Sequence, residues 1–261
     1  MTETHPYTTQ LQAGLGLMEE TRQLLYLWQP GMRMTQLYDA ALQSGLFRAM
    51  AARRLLNVVK ECFAPRYLTQ GDYPAQYLKM IQGKVPVAAF QQLLFLYTAR
   101  ANPILSDFVR EVYWPRYTHG QPAISNDDAR EFVRKANQSG KTRQSWSDST
   151  VRRVSSYLTG CCADFGLLEG GTRKVRKIYP FRPEPTTMLW LAHDLHYHNL
   201  GDNAVIQHAD WQLFGLEPED VKQELRRLSL KGFFIIQTAG DVSQLSWTYS
   251  TWETFIHGLT E

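Results

Sequence analysis

The residues best suited to chemistry in this chain are cations, and they are concentrated. Residues 129–182 hold 12 lysines and arginines against 4 carboxylates, a local net charge of +8 in a chain whose total is +3. Residues 1–128 carry +2, and residues 183–261 carry −7 from 4 basic and 11 acidic side chains. A segment this basic beside one this acidic points to an anionic partner for the middle of the chain. The residue types suit a phosphate backbone. Arg and Lys neutralise phosphates and release counterions, hydroxyls fix register, and an Arg on a groove-facing helix reaches guanine edges. The candidate contacts are Lys141, Arg143, Ser147, Ser149, Arg152, Arg153, Ser156, Arg173, Lys174, Arg176 and Lys177. The helix among them has no aromatic platform for stacking bases, which favours duplex DNA over single strands. The narrow major groove of A-form RNA would exclude such a helix.

These side chains need two helices and a hairpin to position them. Ser125 and Asp128 have capping-box spacing for a helix over about 126–138, with Ala129, Phe132, Val133 and Ala136 as its buried stripe and Gly140 after its end. Ser147 caps a second helix over about 148–165. There Val151, Val154, Leu158, Cys161 and Phe165 share one side, and Ser149, Arg152, Arg153, Ser156 and Gly160 share the other. The glycine would let another backbone approach closely. After a Gly170-Gly171 turn, the alternating stretch Arg173 to Tyr179 reads as a strand within a hairpin near 167–182. Helix, turn, amphipathic helix and basic hairpin is the order of a winged helix-turn-helix, whose second helix enters the major groove while the wing lies along phosphates.

The rest of the chain predicts a mainly α fold: a helical N-terminal bundle followed by two winged-helix-like units with short β-hairpins. Helices fit Thr8 or Thr9 to Trp28, Thr35 to Ser44, Leu46 to Cys62 with a stop before Pro65, Val87 to Arg100, and Pro103 to Trp114. The first three are compatible with a helix-turn-helix at 10–62. No internal repeat at a fixed period stands out. In the last third, helices fit 186–198, 203–214 and 217–230, and strands 233–237 and 244–249 are joined by Ala239-Gly240-Asp241. The third of those helices opens with Glu217, Glu219 and Asp220, which repel phosphate, so this part reads as a protein-interaction module. Lys222, Arg226, Arg227 and Lys231 keep a DNA contact open. The expected domains are 1–120, 121–183 and 184–261.

Other chemistry finds little support. Cys62, Cys161 and Cys162 form no disulfide framework and no Cys-x-x-Cys pair, so reduced thiols in a cytosol are expected. His193 and His196 share one helical face, but His198 points elsewhere and no cysteine or carboxylate is spaced to complete a metal set, so the three read as ordinary helix-surface or core histidines. Gly14-x-Gly16 follows no strand and is no phosphate loop. No catalytic motif is present, and no enzyme activity, cofactor or metal is expected. An aromatic content of 12% excludes wholesale disorder. Short apolar runs exclude a membrane span, and the first residues carry no secretory pattern.

The chain resembles a known family through three stretches: Tyr7-Thr8-Thr9-x-Leu11 with Gly14-Leu15-Gly16-Leu17 and Glu19-Glu20-Thr21; Asn102-Pro103-Ile104-Leu105-x-Asp107-Phe108-Val109; and Trp146-Ser147-x-Ser149-Thr150-Val151-Arg152-Arg153 followed by Asp164-Phe165-Gly166-Leu167-Leu168. Together they look like BrxA, a small subunit of the bacterial phage-defence systems called BREX, over most of residues 7–182. The resemblance implies a cytoplasmic, non-enzymatic DNA-binding accessory protein with winged-helix content. It also implies work beside a methyltransferase, an ATPase and a phosphatase-like protein of the same system. Only the Trp146 to Arg153 motif carries family residues onto the site, and the wing cations rest on charge and position. The competing reading is a protein-interaction scaffold subunit with no direct DNA role.

Overall fold

Gly14 to Leu17 interrupt the first helix that the pattern predicts. Gly14 is extended at φ 175° and Leu17 is left-handed at φ 46°. A 3-10 turn Gln10–Ala13 therefore precedes a shorter helix, α1 (Met18–Leu27). The structure is a computed structural model that describes residues 6–239 and 242–261. The described contacts group the chain into two units, one made of residues up to Lys79 with Leu94–Phe181, the other of Met80–Leu93 with Arg182–Glu261. Helices dominate both, and strands are confined to two antiparallel pairs among the described residues. The mainly α class expected from the patterns is the class observed.

The first unit continues with α2 (Met34–Ser44), α3 (Ala52–Asn57), a π-helical turn Val58–Phe63 and α4 (Ala64–Tyr67). Here Pro65 does not stop the helix. A proline removes the i−4 bond and crowds that carbonyl, and the wider turn before it absorbs the insult: the Ala64 amide reaches back five residues to the Val59 carbonyl. A 3-10 turn Gln70–Asp72 leads to α5 (Tyr73–Ile81), which the periodicity did not predict, and then α6 (Val87–Ala101). The same device recurs in α7 (Pro103–Phe108), a π-helical turn Val109–Tyr113 and α8 (Trp114–Thr118), where the Trp114 amide reaches the Val109 carbonyl ahead of Pro115.

The two stretches are a repeat at a spacing of 50. Leu55, Val59, Lys60, Glu61, Phe63, Pro65, Arg66 and Tyr67 align with Leu105, Val109, Arg110, Glu111, Tyr113, Pro115, Arg116 and Tyr117. This corrects the expectation of no internal repeat. The paired arginines have parted: Arg66 is buried and donates to the Gly14 carbonyl at 2.8 Å, whereas Arg116 pairs with Asp128 at 2.5 Å.

Next come β1 (Ala123–Ser125), α9 (Asn126–Gln138), α10 (Asp148–Asp164) and β2 (Val175–Lys177). The strand β2 pairs mainly with β1, in the register Ala123 to Lys177 and Ser125 to Val175. The hairpin expected near 167–182 is reduced to one antiparallel bridge, Leu168 to Ile178. Phe95 packs against Phe165 and Phe181 with ring centroids 5.5 and 5.7 Å apart, and Phe108 against Phe132 at 5.5 Å. Burying each such ring contributes about 1.5–3 kcal/mol. All three cysteines are free and buried, and burial pushes the Cys161 thiol up to about 12 and Cys162 well above its ordinary range. Thiols held protonated in this way are packing groups, not nucleophiles.

The second unit orders α11 (Pro185–Tyr197), α12 (Asp202–Ile206), a 3-10 turn Ala209–Phe214, α13 (Pro218–Ser229), β3 (Phe234–Ala239), β4 (Val242–Trp247) and α14 (Trp252–Thr260). One helix was expected over 203–214, and the structure divides it. The hairpin β3–β4 pairs Phe234 with Trp247 through Ala239 with Val242. Gly240 and Asp241 of the expected connection lie outside the described residues. His193 is buried and stacks on Phe255 with centroids 3.9 Å apart, while its Nδ1–H donates to the Leu189 carbonyl at 2.8 Å. His196 stacks on Trp247 at 4.2 Å. These histidines build an aromatic core.

Candidate nucleic-acid interface

The helix α10 starts at Ser147, whose hydroxyl accepts from the Thr150 amide. From there the sequence periodicity divides the helix cleanly. Val151, Val154, Leu158 and Cys161 are buried, and Ser149, Arg152, Arg153 and Ser156 are exposed. Those four sit at i, i+3, i+4 and i+7, which is one helical face. Neither arginine has an ion-pair partner among the described residues, although Asp148 lies one turn before Arg152, so both guanidiniums stand in water unpaired.

Gly160 departs from the expected face. It is buried, and a Cβ there would come within 2.9 Å of Leu15 Cδ1. The close approach that this glycine permits is made by the chain's own N-terminal segment. The same segment is tied down along its length. The Gly16 amide donates to Asp164 Oδ2 at 2.9 Å, and the Tyr7 amide donates to the Lys141 carbonyl at 2.7 Å. The Tyr7 hydroxyl donates to Asp107, and burial together with that carboxylate pushes its pKa far up. The motifs that make the sequence resemble its family therefore meet one another in space. Tyr7, Gly14-Leu15-Gly16, Asp107 and Asp164 hold the N-terminal segment against α10 and the turn before it.

That turn, residues 139–147, carries two predicted contacts with different fates. Arg143 is exposed and has no ion pair among the described residues. Lys141 instead lies 3.3 Å from Glu111 and 3.6 Å from Asp107, with Tyr7 beneath it, so its charge is already answered. The residue that organises the turn is Asn137, which sequence reasoning missed. Its Oδ1 accepts from the Trp146 amide at 2.9 Å and the Thr142 hydroxyl at 3.0 Å, and its Nδ2 donates to the Trp146 carbonyl at 3.1 Å. An asparagine at the end of an amphipathic helix gives no such signal until the loop is closed around it.

The stretch 173–178 splits its cations. Lys174 and Lys177 are exposed, and Arg173 pairs with Glu169 at 3.0 Å while staying largely in solvent. Arg176 corrects the expectation of a fully outward basic strand. It is 8% exposed, and its guanidinium donates to the Glu169 carbonyl at 2.8 Å. Alternation explains this. Ile178, two residues on, points to the core, and Arg176 must share its side, while Val175 takes the outer side at 56% exposure. Among the described residues of the predicted site, the cations left exposed and unpaired are therefore Arg143, Arg152, Arg153, Lys174 and Lys177.

The profile of the BrxA family matches residues 5–194. No curated protein matches the chain at a significant level. Among solved structures, the chain is similar to the crystal structure of an uncharacterized protein from Magnetospirillum magneticum. The two are 14% identical, with a TM-score of 0.61, over 80% of this chain and 98% of that one. At that identity the likeness concerns the fold. No helix among the described residues is long and apolar enough to cross a membrane.

Proposed function

The chain belongs to the BrxA family, associated with BREX phage defence, and on that premise we propose that it is a duplex-DNA-binding accessory protein of such a system. The observation that carries the reading is the α10 face: Ser149, Arg152, Arg153 and Ser156 exposed together on a capped helix, with no carboxylate among the described residues paired to either arginine. The order β1, α9, α10, bridge, β2 supports a winged helix-turn-helix over residues 121–183, with α10 entering the major groove and Lys174 and Lys177 along phosphates. Its work takes place in the cytoplasm, beside the methyltransferase, ATPase and phosphatase-like subunits that the family resemblance implies. Residues 184–261, acidic and with α13 opening on carboxylates, serve protein contacts.

Binding is tested by fluorescence anisotropy on duplex DNA at two salt concentrations. With about five phosphates neutralised, log K falls against log salt with a slope of about −4.5, and affinity drops roughly 500-fold between about 50 and 200 mM. Salt-independent binding, or none, would replace this reading with that of a protein-interaction scaffold.

A further inference from the structure

We propose that the outer face of β2 enters the minor groove of duplex DNA, where Val175 and Tyr179 lie against the sugars and favour A·T over G·C pairs. This rests on the DNA-binding reading and adds to it a part of the duplex and a preference. The middle of the chain is its most basic part, yet two large apolar side chains are left exposed among the described residues of 121–183: Val175 at 56% and Tyr179 at 38%. Both lie on one side of one stretch. Burial alternates from 175 to 179, with Val175, Lys177 and Tyr179 exposed and Arg176 and Ile178 buried. The Tyr179 amide donates to the Leu167 carbonyl at 2.9 Å, which carries the extended backbone past the end of β2. Lys177 therefore stands between a valine and a tyrosine.

The neighbouring strand stands lower. Opposite residues of an antiparallel pair share a face, so Ser125 and Ala123 of β1 accompany Val175 and Lys177. The alanine offers a methyl group, and the serine hydroxyl is bonded back to Asp128 at 2.7 Å. Val175, Lys177 and Tyr179 therefore form a ridge one side chain wide and about 13 Å long. The carboxylates that flank the two strands, Asp127, Asp128 and Glu169, lie within 3.0 Å of Arg130, Arg116 and Arg173, so their charge is answered.

A ridge that only tracked phosphates would gain nothing from a valine and a tyrosine. The minor groove of B-DNA, about 6 Å wide, is too narrow for a helix and admits a single row of side chains. Its walls are deoxyribose, against which apolar groups shed water. Its rims are phosphates, within reach of Lys177. Its floor distinguishes base pairs by one group: A·T shows only acceptors, and G·C adds the guanine 2-amino group, which stands in the way of a side chain lying deep. Apolar residues set among cations are the usual equipment of proteins that enter this groove. The cations supply affinity, and Val175 and Tyr179 supply the preference.

Fluorescence anisotropy of the full chain on two duplexes of one G·C-rich sequence is the test. In the second duplex inosine replaces guanine, which removes the 2-amino group from the minor groove and leaves the major groove as it was. The chain should bind the inosine duplex at least about threefold more tightly. Val175→Ser/Tyr179→Ser, at two exposed sites, should keep its circular dichroism and its salt slope and bind the two duplexes equally. Equal binding of both duplexes by the unaltered chain overturns the proposal. So does an inosine preference that survives in the double variant. Binding to neither duplex overturns the DNA-binding reading as well, whereas salt-dependent binding without preference overturns this proposal alone and leaves the ridge to a protein partner.

Discussion

Helices α10 and α13 each lead into a short sheet, and they differ at their first turns. Ser147 caps α10, which then shows Ser149, Arg152 and Arg153. Glu217 caps α13, which begins Pro218, Glu219, Asp220. The cations further along α13 are partly answered within the helix: Lys222 lies 2.7 Å from Glu219 and Arg227 2.6 Å from Glu224. The sheets differ too, with strand β1 beside β2 but side chains of Asp202 and Asn203 beside β4. Order of elements alone therefore does not decide which unit meets phosphate. What decides is whether cations are left unpaired.

The largest way to break the comparison is to destroy each helix's packing. Leu158 and Leu225 are both fully buried. An unpaired buried carboxylate costs several kcal/mol, which is a large part of a domain's stability. Leu158→Asp should abolish the melting transition of the first unit and DNA binding with it. Leu225→Asp should melt the second unit and leave duplex affinity within about threefold, about 0.65 kcal/mol. Equal loss of binding in both variants would refute the division of roles.

A pH titration marks the second unit specifically. Burial pushes the His193 pKa down to about 3, against about 6.5 in an unfolded chain. Above about 6.5 both states are neutral and stability is intact. Below it the unfolded chain takes up a proton that the folded chain refuses. Stability then falls by about 1.4 kcal/mol per pH unit toward pH 3. His193→Phe keeps a ring on Phe255 and should remove this slope, as read by denaturant unfolding between about pH 7 and pH 5. A variant with the parent's slope would assign the pH dependence to other groups.

Next in size is the pair that faces solvent. Arg152→Ala/Arg153→Ala should change stability by no more than about 0.5 kcal/mol and weaken duplex binding by at least about tenfold, about 1.4 kcal/mol. Arg226→Ala/Arg227→Ala on α13 should weaken it less than about twofold. Anisotropy on one duplex checks both, and a larger effect from the α13 pair would invert the comparison.

Parts of this arrangement were legible because local signals are strong where one face is buried and one wet. Ser125 with Asp128, Ser147, and the alternation of Val151, Val154 and Leu158 placed α9 and α10 within a residue of their observed bounds. The β3–β4 hairpin was legible from its alternation. The break at Gly14–Leu17 was not, because Leu11, Leu15 and Met18 keep helical spacing across it and the Asp164 and Gly160 contacts that require the break lie about 150 residues away. Pro65 reads as a stop, and the helix from Pro103 ends at Trp114, because a π-helical turn leaves no mark in apolar spacing. Once both are seen as continuous, the repeat around Pro-Arg-Tyr is plain. Residues 80–93 join the second unit through bonds such as Gln92 Nε2 to the Arg182 carbonyl at 2.7 Å, which sequence order conceals. A deletion starting at 184 would therefore cut through that unit, and point substitutions are the cleaner probes.

The smallest effect lies in the strand where reading by composition failed. Four cations in five residues, Arg173 to Lys177, invite the picture of a uniformly basic wing, but period two sets Arg176 and Lys177 on opposite faces. Arg176 follows Ile178 inward and holds the Glu169 carbonyl, Lys177 faces water, and Lys174, which precedes the strand, is exposed as well. Arg176→Gln should therefore cost about 1–3 kcal/mol of stability by removing a charge-assisted, half-buried bond to the Glu169 carbonyl, with the salt slope of DNA binding unchanged at a temperature where the variant is folded. Lys174→Ala/Lys177→Ala should do the reverse: stability within about 0.5 kcal/mol, and a slope flattened by about two, one for each phosphate no longer neutralised. Because phosphates carry no base information, the weakening should be equal on unrelated duplexes. A slope that moved with Arg176 and not with the lysines would mean that the wing turns over when it meets DNA.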